Sequence, residues 1–241
     1  MIKQKILLDL DDTLIHCNKY FKETLEIYTL KMKQWFPINE NEIREKQLEF
    51  DLKNVSEYGL HSKHFPKSFV STYKYYSKKF NLEIQEQHID EVHKIAASVF
   101  NINVEPFPET YEVLSTLKKQ GHDLYLYTGG DHCNQNRKIW QLGLQSYFSD
   151  GIFIFEHKNV TSLQKTLNEI NFNNNFIWMI GNSLRTDIQP AIELGINAIH
   201  IPSELEWSYN NIKLEGTYNT LQSLKEVPDY IQRFSQHNLI T

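Results

Sequence analysis

At 241 residues with a formal net charge of −5, the chain has room for one large domain or a core with an inserted unit. It lacks the basic excess of a dedicated nucleic-acid binder. Thirteen Tyr and 14 Phe exclude a disordered chain, and Cys17 and Cys133 alone make neither a disulfide framework nor a zinc site. No apolar run approaches membrane-spanning length and no signal peptide leads the first strand, so the cytoplasm is the expected location, with no membrane partner.

In chain order, the first element is the apolar run Lys5-Ile6-Leu7-Leu8, of strand length. It ends in Asp9, Asp11 and Asp12, followed by Thr13. Three carboxylates at one strand tip repel each other unless a cation is held among them, and oxygen donors of this kind suit Mg²⁺. The blander alternative is a turn in which one Asp caps a helix and the others are solvated. From residue 17 to 36, Tyr20, Phe21, Leu25, Tyr28, Met32 and Phe36 recur at helical spacing, and Pro37 closes that helix. A charged helix is expected over 39–52, an irregular stretch over 54–65, a helix opened by Pro66 and ended at Phe80, and another over 85–100.

After Val104 the rhythm changes to strand, turn, helix, repeated. A helix runs from near Pro108 to Gln120 and a strand covers 122–128. A helix at 133–142 and a strand at 152–155 follow. Thr161 to Gln164 has capping-box spacing at the start of the next helix. The asparagine-rich turn at 171–175 leads to a strand at 176–180, a helix near 187–194 and a strand at 198–201. Alternation of this kind predicts an α/β, three-layer, Rossmann-like core with a parallel sheet covered on both faces. An all-helical unit over 16–103 interrupts it, leaving 1–15 and 104–241 as the core.

In open parallel sheets, ligands bind at the carboxyl ends of the strands, so the strand ends carry the functional reading. The first offers the acids, and the second offers Thr128 with Gly129 and Gly130. The third leads to Lys158, and the fourth to Gly181, Asn182 and Asp187. Taken singly, Thr128 suits a glycine turn, Lys158 suits a surface and Asp187 suits a helix cap. Together they suit phosphoryl transfer: cations neutralise phosphate, backbone amides hold its oxygens, and a carboxylate attacks phosphorus.

On these residues the chain resembles the haloacid dehalogenase superfamily of phosphohydrolases, in the branch with a helical cap between its first and second motifs. Asp9 to Thr13 match the first motif, Thr128 the second, Lys158 the third, and Gly181 to Asp187 the fourth. The resemblance implies a Mg²⁺-dependent hydrolase acting on a small phosphorylated metabolite. Asp9 would be the nucleophile and a metal ligand. Asp11 would be acid and base, its backbone carbonyl on the metal. Asp12, Thr128, Gly129 and Lys158 would bind phosphate, and Asn182 and Asp187 would complete the metal site. The family usually has Asp where this chain has Asn182, which implies looser Mg²⁺ binding. Dehalogenating members lack the second acid of the first motif, so Asp11 favours ester hydrolysis. A phosphomutase and a catalytically weakened regulatory protein remain open on the same scaffold. A receiver-type signalling domain fits less well, because the middle strands are expected to end in Thr128 and Lys158. His16, Cys17, Asn18, Tyr20, His61, Lys63 and His64 are expected near the pocket mouth.

Overall fold

The computed structural model describes residues 2–171, 176–210 and 212–237. The chain divides into two compact units, Met1–Asn18 with Val104–Thr241, and Lys19–Asn103.

The first unit is built on parallel strands in the order β3-β2-β1-β4-β5-β6. They are β1 (Lys5–Leu8), β2 (Asp123–Gly129), β3 (Ile152–Phe155), β4 (Ile177–Gly181), β5 (Asn197–His200) and β6 (Asn219–Thr220). Leu8 lies level with Leu126 of β2 on one side and with Ile180 of β4 on the other. Covered on both faces, β1 and β4 are continuous apolar runs, with Ile6, Leu7, Leu8 and Ile177 through Ile180 wholly buried. The winding direction reverses between β1 and β4, which makes the end of β1 the topological switch point. Here one expectation is corrected. Chain order is not sheet order, so the acid-bearing β1 is itself central and Lys158 follows β3 at an edge.

The helices of this unit are α5 (Thr110–Lys119), α6 (His132–Gln141), α7 (Val160–Glu169), α8 (Gln189–Glu193) and α9 (Val227–His237). The cap of α7 is Asn159, not Thr161: Asn159 and Ser162 exchange side-chain and backbone bonds as a capping box. Before α8 the chain makes a π-helical turn, Leu184–Ile188, a rare geometry often found at functional sites. The expected asparagine turn lies outside the described residues from 172 to 175. β6 and α9 go beyond the sequence expectation. β6 is two residues long and carries no period, whereas α9 follows a short 3-10 turn, Leu224–Glu226, that opens with a capping box between Ser223 and Glu226.

The second unit contains most of α1 (Asn18–Trp35), with α2 (Glu40–Tyr58), α3 (Phe65–Lys79) and α4 (Glu86–Ser98). Its core is aromatic, with Tyr28, Phe36, Phe69, Tyr73 and Tyr76 packed around Met32, Ile43, Val92 and Ala96. α2 runs six residues past the expected end at 52. Asn39 caps its start by accepting the Glu42 N–H at 2.9 Å, and Gly59, at φ 74°, stops it. Nothing between 52 and 58 breaks a helix, so weak apolar periodicity there concealed it.

Candidate active site

Asp9 follows β1 directly, and its backbone N–H donates to the Ile180 carbonyl at 2.9 Å, prolonging the ladder to β4. Its side chain is buried against two partners. Oδ1 lies 2.5 Å from the Lys158 ammonium, and Oδ2 accepts the Thr13 hydroxyl at 3.1 Å. The Thr13 oxygen in turn accepts the Asn182 backbone N–H at 3.1 Å, tying the loop after β4 to the loop after β1. The same hydroxyl lies 3.5 Å from Asn182 Oδ1. The Asn182 carbonyl accepts a bond from His200 Nε2 at 3.0 Å.

Lys158 is buried rather than decorating the surface, and it bridges Asp9 to Asp187. Asp187, fully buried in the π-helical turn, also accepts the Ser183 N–H at 2.9 Å. It lies directly over Gly181, where any Cβ would overlap its carboxylate. The glycine of the fourth motif is therefore required by a neighbour's side chain and not by backbone strain.

Burial pushes the Asp9 carboxyl up to about 7; the charges of Asp187 and Asp11 add to this, and Lys158 opposes it. Burial disfavours the Lys158 charge, yet Asp187 and Asp9 outweigh it and hold the ammonium well above its ordinary value. Two buried carboxylates thus share one ammonium, an arrangement short of positive charge. An all-oxygen donor set of Asp9, Asn182 and Asp187 has the chemistry that suits a hard divalent cation. Among the described residues, no three His, Cys, Asp or Glu side chains converge as a metal-binding group. Asn182 supplies an amide in place of a third carboxylate.

A second set of contacts joins Asp11 to β2. Both Asp11 oxygens meet the Lys138 ammonium, at 2.7 and 2.9 Å, and Oδ2 also accepts the Gln135 amide at 3.0 Å. The same Gln135 nitrogen lies 2.7 Å from the Thr128 hydroxyl. Burial raises the Asp11 carboxyl, but the Lys138 charge and the Lys138 and Gln135 hydrogen bonds outweigh it, leaving it below the ordinary carboxylate value. Gly129 is the last residue of β2, and the Gly130 N–H donates to the Phe155 carbonyl at 2.9 Å.

Asp12, expected at the phosphate, is engaged in the turn that leads into α1. Its carboxylate accepts the N–H groups of Cys17 and Asn18 at 3.0–3.1 Å, and its own N–H donates to the Ile15 carbonyl at 2.7 Å. Both groups are spent on the turn that leads into α1, the capping role held open above. Of the residues expected at the pocket mouth, His16 packs on Phe107 at 4.1 Å and the Asn18 amide donates to the Leu205 carbonyl at 2.7 Å. Cys17 is buried beside Lys138, with Sγ 3.9 Å from Nζ. Tyr20 is buried in the helical unit, where His64 stacks on Tyr58 at 4.1 Å and His61 accepts the Lys63 N–H at 3.3 Å.

Sequence reasoning missed Lys138, Gln135 and His200 as members of the site, and gave Thr13, though part of the first motif, no role of its own. Only the first pair left a signal, three residues apart on a helix that follows a glycine turn at a functional strand end.

A family model for haloacid dehalogenase-like hydrolases matches residues 5–195. A glyceraldehyde 3-phosphate phosphatase from Methanothermobacter thermautotrophicus is 28% identical over 131 residues, 51% of this chain and 58% of the relative, so the match spans little more than half of that protein. A haloacid dehalogenase-like family hydrolase from Xanthomonas campestris is similar over 99% of this chain and 95% of its own, with TM-score 0.82 at 20% identity. YfnB of Bacillus subtilis, solved with magnesium bound, is similar over 96% and 99%, with TM-score 0.63 at 18% identity. At those identities the two structures speak to the fold alone.

Proposed function

The chain belongs to the haloacid dehalogenase-like hydrolases, and from that premise we propose that it hydrolyses small phosphate monoesters, with Mg²⁺, through an aspartyl-phosphate on Asp9. The observation that carries this reading is the Lys158 ammonium held between Asp9, after β1, and Asp187, after β4. A buried ion cluster at a sheet's switch point costs desolvation, a cost that a functional role explains.

The chemistry then runs in two displacements. The Asp9 carboxylate attacks phosphorus, the bond from phosphorus to the ester oxygen breaks, and that oxygen takes the electron pair and a proton that Asp11, a carboxylate beside the Lys138 charge in the resting site, first takes up from water. Water next attacks phosphorus while Asp11 takes one of its protons, and the bond to Asp9 breaks with its electron pair returning to the carboxylate. Lys158 orients Asp9 and balances charge, while Thr128 and the Gly129 N–H hold phosphoryl oxygens. When bound by Asp9, the Asp11 carbonyl, Asn182 and Asp187, Mg²⁺ supplies charge neutralisation at the phosphoryl oxygens. Asp11, absent from dehalogenating relatives, supports ester over carbon–halogen cleavage.

Phosphate release from a panel of monoesters, with Mg²⁺ and with EDTA, tests this. Glyceraldehyde 3-phosphate opens the panel because a relative carries that name. The expected result is Mg²⁺-dependent release, reduced roughly 10⁴-fold or more in a folded Asp9→Asn variant. Equal release from that variant would sink the proposal.

A further inference from the structure

The two displacements above do not use Lys138, yet it is buried where an unpaired ammonium is costly. Two of its three donor hydrogens are engaged by the Asp11 oxygens, at 2.7 and 2.9 Å, and Cys17 Sγ lies 3.9 Å away. It is therefore saturated by protein groups rather than free to take a substrate anion. Gln135 lies one helical turn earlier on α6 and is also buried. It reaches back across Gly130, whose φ of +140° and lack of a Cβ make room, since a Cβ there would stand 2.9 Å from the Gln135 side chain.

The Gln135 bonds fix proton directions. A carboxylate only accepts, so Gln135 must turn its NH₂ toward Asp11 Oδ2 at 3.0 Å. The same nitrogen, 2.7 Å from Thr128 Oγ1, then donates to that oxygen as well. Thr128 consequently accepts from Gln135, and its own O–H proton is left to point elsewhere. We infer that Lys138 and Gln135 are positioning residues: Lys138 locks the Asp11 carboxyl in one orientation toward the leaving group, and Gln135 turns the Thr128 hydroxyl proton toward a bound phosphoryl oxygen.

This rests on the hydrolase reading, and the test separates the two. Steady-state rates are measured with Mg²⁺ on p-nitrophenyl phosphate, whose leaving group needs no proton, and on glycerol phosphate, whose leaving group does. Lys138→Met is expected to lower kcat on glycerol phosphate by ~10²-fold and on the nitrophenyl ester by only a few-fold, with KM little changed. Lys138→Arg should recover part of the glycerol phosphate rate. Gln135→Leu should weaken inhibition by inorganic phosphate about tenfold on both substrates, as loss of one hydrogen bond to a charged group would. Equal losses on the two esters in Lys138→Met, with no recovery in the arginine variant, would overturn the positioning role and leave only packing. Should Lys138→Met fail to fold, the arginine and Gln135 variants decide by the same readouts. If wild type and Asp9→Asn behave alike, the hydrolase reading itself falls and this inference with it. If Asp9→Asn is dead but the ester ratio is unmoved, this inference alone falls.

Discussion

The two units bury polar groups in opposite ways. The α/β unit gathers charges at the carboxyl ends of β1, β2, β3 and β4 and pairs most of them, Asp9 and Asp187 on Lys158 and the partly buried Asp11 on Lys138, while buried Asp12 and Asp131 accept backbone N–H groups at helix starts. The helical unit buries phenols whose hydroxyls donate to backbone carbonyls, Tyr28 to Phe69 and Tyr76 to Glu42, both at 2.9 Å. Its one buried carboxylate, Asp51, is pushed up to about 7 by burial alone. Hydrogen-bonded phenols are ordinary core material, because each polar tip is satisfied and the ring supplies apolar area. Paired charges in a core are expensive and replaceable by apolar residues, so their concentration at one edge of one sheet marks chemistry, not stability.

That contrast can be broken in three places. The largest effect is expected for Lys158→Met, which strands Asp9 and Asp187 without their cation. Urea unfolding at pH 8 should show a loss of roughly 3 kcal/mol, shrinking as pH falls through about 7, where Asp9, without the Lys158 charge that opposes its protonation, takes a proton in the folded state; a neutral outcome would mean that Lys158 does not hold the two carboxylates in the fold. Next is Gly181→Ala, whose new methyl displaces the Asp187 carboxylate. Roughly 1–3 kcal/mol of stability and most of the turnover should go together, and full activity with a normal melting temperature would show that Asp187 has room to move.

The smallest effect belongs to the helical unit. Asp51 ordinarily titrates near 3.8 and is held at about 7 in the fold, so the folded state binds its proton more tightly. Its contribution to stability is therefore intact below pH 4, falls as pH rises from about 4 to about 7, and stays low above. Asp51→Asn removes that loss, and its advantage over wild type should be absent at pH 4 and open steadily as pH rises to 8. Parallel pH–stability curves for the two proteins would show that a second group compensates Asp51.

The α/β order was legible because strand runs and glycine stops are local, and Lys158 was found because it sits at a strand end. The same locality explains the errors. Asp12 reads like its neighbours Asp9 and Asp11, yet the backbone turn at φ 57° carries it away to the start of α1. Gln135 and Lys138 look like the solvated face of a polar helix until the sheet beneath α6 buries that face. No spacing rule reveals which face a sheet will cover. The sheet order itself hides in the crossovers, which is why chain order alone places β3 among the middle strands. The end of α2 was missed because its charged residues hold a helix without the apolar stripe that periodicity detects.

The most direct measurement is to quench the enzyme in acid during turnover with Mg²⁺ and a released phosphate ester, then weigh its peptides. A phosphoryl group on the peptide spanning Asp9, absent from samples without substrate, is the predicted result. Phosphate appearing in solution while that peptide stays unlabelled, with the label carried by another side chain, would contradict it.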